Sequence, residues 1–193
     1  MHQLEQTYQD CGFQYLRFHG LFAEDMGVYK ETTDGKPIYN FQYIDMLYDE
    51  LLQIGIRPFV ELSFMPDALA SGTQTVFWWK SNVTPPTDYS KWGNLIRKFA
   101  EHLVMRYGLE EVENWYFEVW NEPNLNLNPK AGFFDGTKSD YFRMYKESVK
   151  AIKSIDKRLK VGGPATSNFI ADNRHDGEIM DHKKSVFYSQ DII

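Results

Sequence analysis

Short runs rich in β-branched and aromatic residues alternate with amphipathic stretches along this chain, and no other feature constrains its fold as much. Phe13-Gln-Tyr-Leu-Arg-Phe18 reads as a strand. Asn40 then caps a predicted helix whose apolar positions Ile44, Leu47, Tyr48, Leu51 and Leu52 share one face before Gly55 ends it. Arg57-Pro-Phe-Val-Glu-Leu62 is the next strand. After a long loop rich in aromatics, Asp88 or Ser90 opens a helix with Ile96, Phe99, Ala100, Leu103 and Val104 on one stripe and Gly108 past its end. A strand beginning at Trp115 follows. A third helix, opened near Ser139-Asp140, carries Phe142, Tyr145, Val149 and Ile152, and Leu159-Lys-Val-Gly162 closes the series. Strands alternating with helices predict right-handed βαβ crossovers and an α/β fold with a parallel sheet. No strand is followed by Gly-x-Gly-x-x-Gly or a phosphate loop, which removes the usual support for a doubly wound nucleotide-binding fold. A barrel fits better. A complete (β/α)8 TIM barrel takes eight strands and about 250 residues, so the 193 residues here predict part of one, about four βα units. A small open α/β sheet complete in itself fits the same rhythm. The expected division is a partial barrel over residues 1–166 and a polar tail or truncated loop over 167–193.

Chemistry in such folds sits at the carboxyl ends of the strands. The run Trp115-Tyr-Phe-Glu-Val-Trp-Asn-Glu-Pro-Asn124 stops abruptly at Asn121-Glu122-Pro123, which puts Glu122 at a strand end as the first catalytic candidate. General acid catalysis on a glycosidic oxygen needs a carboxyl protonated near neutral pH, a state favoured by burial among aromatics such as Trp120, Phe117 and Tyr116. Asn121 offers an amide that donates to a sugar hydroxyl as the ring approaches an oxocarbenium-like transition state. Asn-Glu-Pro alone is more often a plain turn, with Pro123 stopping the strand; its place in a βα rhythm tips the balance to function. In Arg17-Phe-His-Gly20, alternation puts Tyr15, Arg17 and His19 on one face, with His19 at the rim and Arg17 a layer deeper. A substrate-binding His19 and a structural one fit equally. Glu61 and Glu118 lie within their strands and read as interior partners of Arg17, because buried carboxylates need a compensating cation.

Other features exclude more than they suggest. The net charge of -6 leaves no basic stripe for nucleic acid. No apolar run approaches the roughly 18 residues that span a bilayer, and Met-His-Gln-Leu-Glu-Gln at the start is neither basic nor apolar. A cytoplasmic protein without membrane attachment is expected. The single Cys11 excludes an internal disulfide and fits a small, partly buried apolar role. His175, Asp176, Glu178, Asp181 and His182 crowd the tail but match no metal-motif spacing, so a solvated loop is expected and no metal. Trp78 and Trp79 belong to a loop on the strand-end face, where they form a sugar-stacking wall or anchor the loop. Ser63 lies near a strand end without a nucleophile-elbow sequence.

Several segments resemble, in order over roughly residues 12 to 166, the β-xylosidases of glycoside hydrolase family 39. They are Arg17-Phe-His-Gly20, Gly55-Ile-Arg-Pro-Phe-Val-Glu61, Phe64-Met-Pro66, Ala70-Ser-Gly-Thr-Gln-Thr-Val76, Asn82-Val-Thr-Pro-Pro86, Phe117-Glu-Val-Trp-Asn-Glu-Pro-Asn124 and Val161-Gly-Gly-Pro-Ala165. The resemblance implies a retaining hydrolase acting on a xyloside or xylo-oligosaccharide without cofactor, with Glu122 as acid/base and Asn121 and His19 contacting the sugar next to the scissile bond. It also implies that residues 13–18 correspond to the second barrel strand. The family's nucleophilic glutamate, on the seventh strand in an Ile-Thr-Glu-Tyr-like segment, has no counterpart here. A sugar-binding or assembly fragment, and an α-L-iduronidase-like glycosidase on the same scaffold, are the competing expectations. A half barrel exposes apolar sheet edges, so association of copies into a homo-oligomer is expected.

Overall fold

A computed structural model describes residues 2–125 and 132–167. In chain order the elements are α1 (His2–Cys11), β1 (Tyr15–Arg17), β2 (Tyr29–Glu31), β3 (Pro37–Tyr39), α2 (Gln42–Ile54), β4 (Arg57–Glu61), β5 (Thr75–Val76), β6 (Ser81–Asn82), α3 (Tyr89–Tyr107), α4 (Leu109–Val112), β7 (Tyr116–Glu118), α5 (Lys138–Ile155) and β8 (Lys160–Gly162). β1, β4, β7 and β8 form one parallel sheet in that order, so each strand pairs with the next one of the βα rhythm. The architecture is α/β and matches part of a TIM barrel, as the alternation predicts.

The register assigns every side chain to a face. Arg17 pairs with Phe59, Phe59 with Tyr116, and Glu61 with Glu118. Because side chains alternate along a strand, Tyr15, Arg17, Phe59, Glu61, Tyr116 and Glu118 share the face that lines a barrel interior. Val60 and Phe117 point to the other face, where the helices cover them and both are buried. There α2 contributes Ile44, Tyr48 and Leu51, and α3 contributes Trp92, Leu95, Ile96, Phe99 and Leu103, all at 1% exposure or less. Burying each such side chain is worth about 1.5–3 kcal/mol, so this helix layer holds the sheet.

The helix boundaries follow local chemistry. Asp88 accepts from the backbone N–H groups of Ser90 and Lys91 at the start of α3. Thr137 and Asp140 form a capping box on α5, placing the start slightly before the Ser139-Asp140 expected from sequence. The cap expected at Asn40 is displaced: Phe41 occupies the cap position, while the Asn40 side chain accepts from the Gln42 N–H. Gly55 ends α2 at φ 99°, a left-handed geometry that only glycine adopts freely.

Three expectations need correction. The buried stripe of α5 is Tyr141, Met144, Ser148, Ala151 and Ile152; of the residues expected there, Ile152 is buried, while Phe142, Tyr145 and Val149 flank the stripe. Polar atoms explain the offset. The Tyr141 hydroxyl donates to the Val119 carbonyl, and the Ser148 hydroxyl accepts from the Trp92 indole and donates to Met144 O, so both bury with partners. Cys11 is exposed, not partly buried, because α1 buries no residue at all. The long loop after β4 contains the antiparallel β5–β6 hairpin, and a second hairpin, β2–β3, precedes α2. Among the described residues no helix is long and apolar enough to cross a membrane. The tail cluster of His175, Asp176, Glu178, Asp181 and His182, and the expected tail over 167–193 beyond its first residue, lie outside the described residues.

Candidate active site

The four parallel strands end together, and the chain turns sharply after β7. Trp120 and Glu122 adopt φ of 70° and 40°, left-handed values that cost non-glycine residues about 1–3 kcal/mol each. Asn121, between them, makes a single parallel bridge to Ala165, and Glu122 N donates to Ala165 O at 2.8 Å. The neighbouring connection is held by Gly163, where an added Cβ would stand 3.0 Å from the Tyr141 hydroxyl and 3.3 Å from Val119 O at φ 134°. This alternation of conformations sends Trp120 into the core and Glu122 to the strand-end rim. Trp120 donates its indole N–H to Phe133 O and packs edge-on against Phe64 and Phe134. Phe117 is likewise buried, and Tyr116 stacks on Phe59 one layer down. The aromatic neighbours expected around Glu122 therefore belong to the core and the deeper sheet face.

Arg17 is the centre of the inward face. Its Nε donates to Glu118 Oε2, its Nη2 lies 3.0 Å from Glu61 Oε2, and the same Nη2 donates to Asn121 Oδ1 at 2.8 Å. The side chains of Glu61 and Glu118 are 0% and 9% exposed, so the expectation that both are interior partners of Arg17 holds. Burial opposes the Arg17 charge, but the hydrogen bond to Glu118 and the fields of Glu61, Glu118 and Glu122 outweigh it and raise its pKa. Burial pushes the Glu118 carboxyl above its ordinary value, while Arg17 pulls it back. His19 stands at the rim, as alternation predicts, with Nδ1 2.7 Å from Glu61 Oε2. Ser63 donates its hydroxyl to Glu61 Oε1 and so supports the carboxylate.

Of the sequence-predicted site residues, Asn121 and His19 are thus tied into one network through Arg17 and Glu61. Glu122 is adjacent, and its side chain makes no hydrogen bond or ion pair among the described residues. Sequence reasoning missed the wall around His19: Phe77 stacks on its ring at 5.9 Å, with Phe133 at 6.0 Å and Phe64 at 6.3 Å. Phe64 and Phe77 come from the long connection after β4 and Phe133 from the one after β7, and no spacing links them to His19. Phe77 is carried by the β5–β6 hairpin, which Asn82 fastens by donating to Gly72 O and accepting from Thr84 N. At its tip Trp79 stacks on Phe77 at 4.5 Å, whereas Trp78 is 87% exposed. The two tryptophans divide: Trp79 anchors, and Trp78 is free for contact.

This strand-end geometry agrees with what the chain is similar to. The family model for glycosyl hydrolases family 39 matches residues 1–182. The chain belongs to this family. It is 52% identical over 165 residues to a β-xylosidase of Caldicellulosiruptor saccharolyticus, covering 86% of this chain and 33% of that protein. A β-xylosidase of Geobacillus stearothermophilus is 52% identical over 166 residues, covering 84% of this chain and 32% of the relative. Among solved structures, a monomeric β-xylosidase from Caulobacter crescentus CB15 superposes with a TM-score of 0.79 at 47% identity, over 86% of this chain and 32% of that one. The chain thus spans about a third of the length of the curated relatives it matches.

Proposed function

We propose that this chain provides the acid/base side of a retaining β-xylosidase site acting on β-xylosides or xylo-oligosaccharides. The carrying observation is the contrast among three carboxyls at neighbouring strand ends. Glu61 and Glu118 are buried and bound to Arg17, whereas Glu122, past the end of β7, makes no hydrogen bond or ion pair among the described residues and is partly exposed. The acid/base must give its proton to the leaving oxygen and then, as a carboxylate, take one from the water that attacks in the second step, and only Glu122 of the three is placed for that. Asn121 and His19 hold the sugar at the rim in this reading. Retaining chemistry places its nucleophilic carboxyl about 5–5.5 Å from the acid/base. Glu61 and Glu118 are committed to Arg17, so the second carboxyl is not one of them. The identity to two β-xylosidases supports xylose as the sugar.

Hydrolysis of nitrophenyl β-xyloside by the purified protein, beside Glu122→Gln, tests the reading. Any hydrolysis by the native protein is expected to fall about 10²–10⁴-fold in the variant, and hydrolysis that survives the substitution contradicts the assignment. Xyloside binding without hydrolysis would instead assign the chain a sugar-binding role. A panel including an α-L-iduronide distinguishes the sugars within the family.

A further inference from the structure

An amide and an imidazole each present a ligand with either a donor or an acceptor, and the partner holding the far side decides which. We propose that Arg17 and Glu61 are positioning residues that fix this polarity, so that Asn121 presents a donor and His19 an acceptor to the sugar. This rests on the functional reading above.

The Asn121 amide is settled by Arg17. A guanidinium has five donors and no acceptor, and its Nη2 lies 2.8 Å from Asn121 Oδ1. A flipped amide would set donor against donor. The oxygen is therefore held inward, and Nδ2, which takes no partner among the described residues, is the group left for a ligand. His19 is settled by Glu61, whose side chain is wholly buried, pairs with the Arg17 guanidinium at 3.0 Å and accepts from the Ser63 hydroxyl. Surrounded this way, the carboxyl is an acceptor on both oxygens. When the ring is neutral, the His19 Nδ1, 2.7 Å from Oε2, carries the hydrogen and Nε2 is left as the acceptor. One nitrogen, Arg17 Nη2, joins the two settings, because it reaches Glu61 Oε2 at 3.0 Å and Asn121 Oδ1 at 2.8 Å.

The consequence is a rule for the ligand. The hydroxyl at Asn121 has to accept and the hydroxyl at His19 has to donate. Fluorine accepts weakly and cannot donate, so a deoxyfluoro xyloside is tolerated with fluorine at Asn121 and rejected with fluorine at His19. A merely structural ion pair between Arg17 and Glu61 would not impose this difference.

The test is the tautomer of His19, read by long-range ¹H–¹⁵N correlation on ¹⁵N-histidine protein at alkaline pH, with His19→Asn used for assignment. The native protein is expected to show hydrogen on Nδ1. Glu61→Gln keeps an oxygen that accepts from Nδ1 and is expected to retain that tautomer. Glu61→Leu is expected to move the hydrogen to Nε2, the form free histidine prefers, and to weaken methyl β-xyloside binding about tenfold, about 1.4 kcal/mol. Hydrogen on Nε2 in the native protein, or an unchanged tautomer in a folded Glu61→Leu variant, overturns the proposal. The expected tautomers without any xyloside binding would contradict the β-xylosidase reading while leaving the polarity of the site in place.

Discussion

Replacing Arg17 by Met keeps most of the side chain's volume and removes its charge, which isolates the electrostatic part of the network. Three contacts disappear: those to Glu61, Glu118 and Asn121. Two carboxyls, 0% and 9% exposed, are left without their cation. Removing one partner of a buried pair costs about 3–5 kcal/mol, and because the Arg17 side chain is itself 32% exposed the low end, about 3 kcal/mol, applies. With a urea dependence of about 2 kcal/mol/M, the unfolding midpoint should fall by about 1.5 M. The loss should also depend on pH. Glu118 already titrates above its unfolded value of 4.5 because burial disfavours its charge, and Arg17 restrains that shift. Without Arg17 the folded value rises further. An acid held above its unfolded value folds more readily when protonated, so the added penalty is in full force above the folded pKa and vanishes as pH falls towards 4.5. The gap between native and variant should therefore be widest near neutrality and shrink on acidification. A gap under about 1 kcal/mol at neutral pH, or one that grows as pH falls, refutes this account of the buried face.

Other perturbations test separate links. Tyr141→Phe removes a donor from the buried Val119 carbonyl just before the site turn, and calorimetry should show about 1–3 kcal/mol of lost stability; an unchanged melting temperature would contradict its role in holding β7 to α5. Trp78→Ala should change stability by less than about 0.5 kcal/mol, since the side chain is 87% exposed, and a larger loss would show that Trp78 anchors the hairpin after all. The inner sheet face exposes Tyr116 and, near its edge, Phe13 at 39% and 58%, and copies of the chain should associate through it; a sharp monomer mass in light scattering at micromolar concentration argues against this.

The helical faces and strand ends were legible because each rests on a periodicity. Ile44, Tyr48 and Leu51 on α2, and Ile96, Phe99, Ala100 and Leu103 on α3, are buried as their spacing predicts. The α5 stripe was misread by about one position because Tyr141 and Ser148 bury polar atoms with partners that no local pattern reveals. α1 escaped notice because none of its residues is fully buried, and only a few of its side chains, such as Leu4, lean on the core. The hairpins have strands of two and three residues, too short for alternation to register. At the site, alternation placed Arg17 and His19 on one face, and the need of buried carboxylates for a cation placed Glu61 and Glu118 beside Arg17. The hydrogen bond from Arg17 to Asn121, 104 residues away in sequence, and the rings around His19 depend on how separate loops meet, which only the folded chain shows. The left-handed turn at Trp120 and Glu122 was also hidden, since neither residue type signals it.

The rim formed by Asn121, Glu122 and His19 is expected to bind a β-xyloside. Titrating ¹⁵N-labelled protein with methyl β-xyloside tests it most directly. Saturable shifts of the Asn121 side-chain amide and the His19 ring with one common dissociation constant are expected, with the His19 shifts lost in Asn121→Ala. Signals there that stay still while others saturate, or no saturation anywhere, would contradict it.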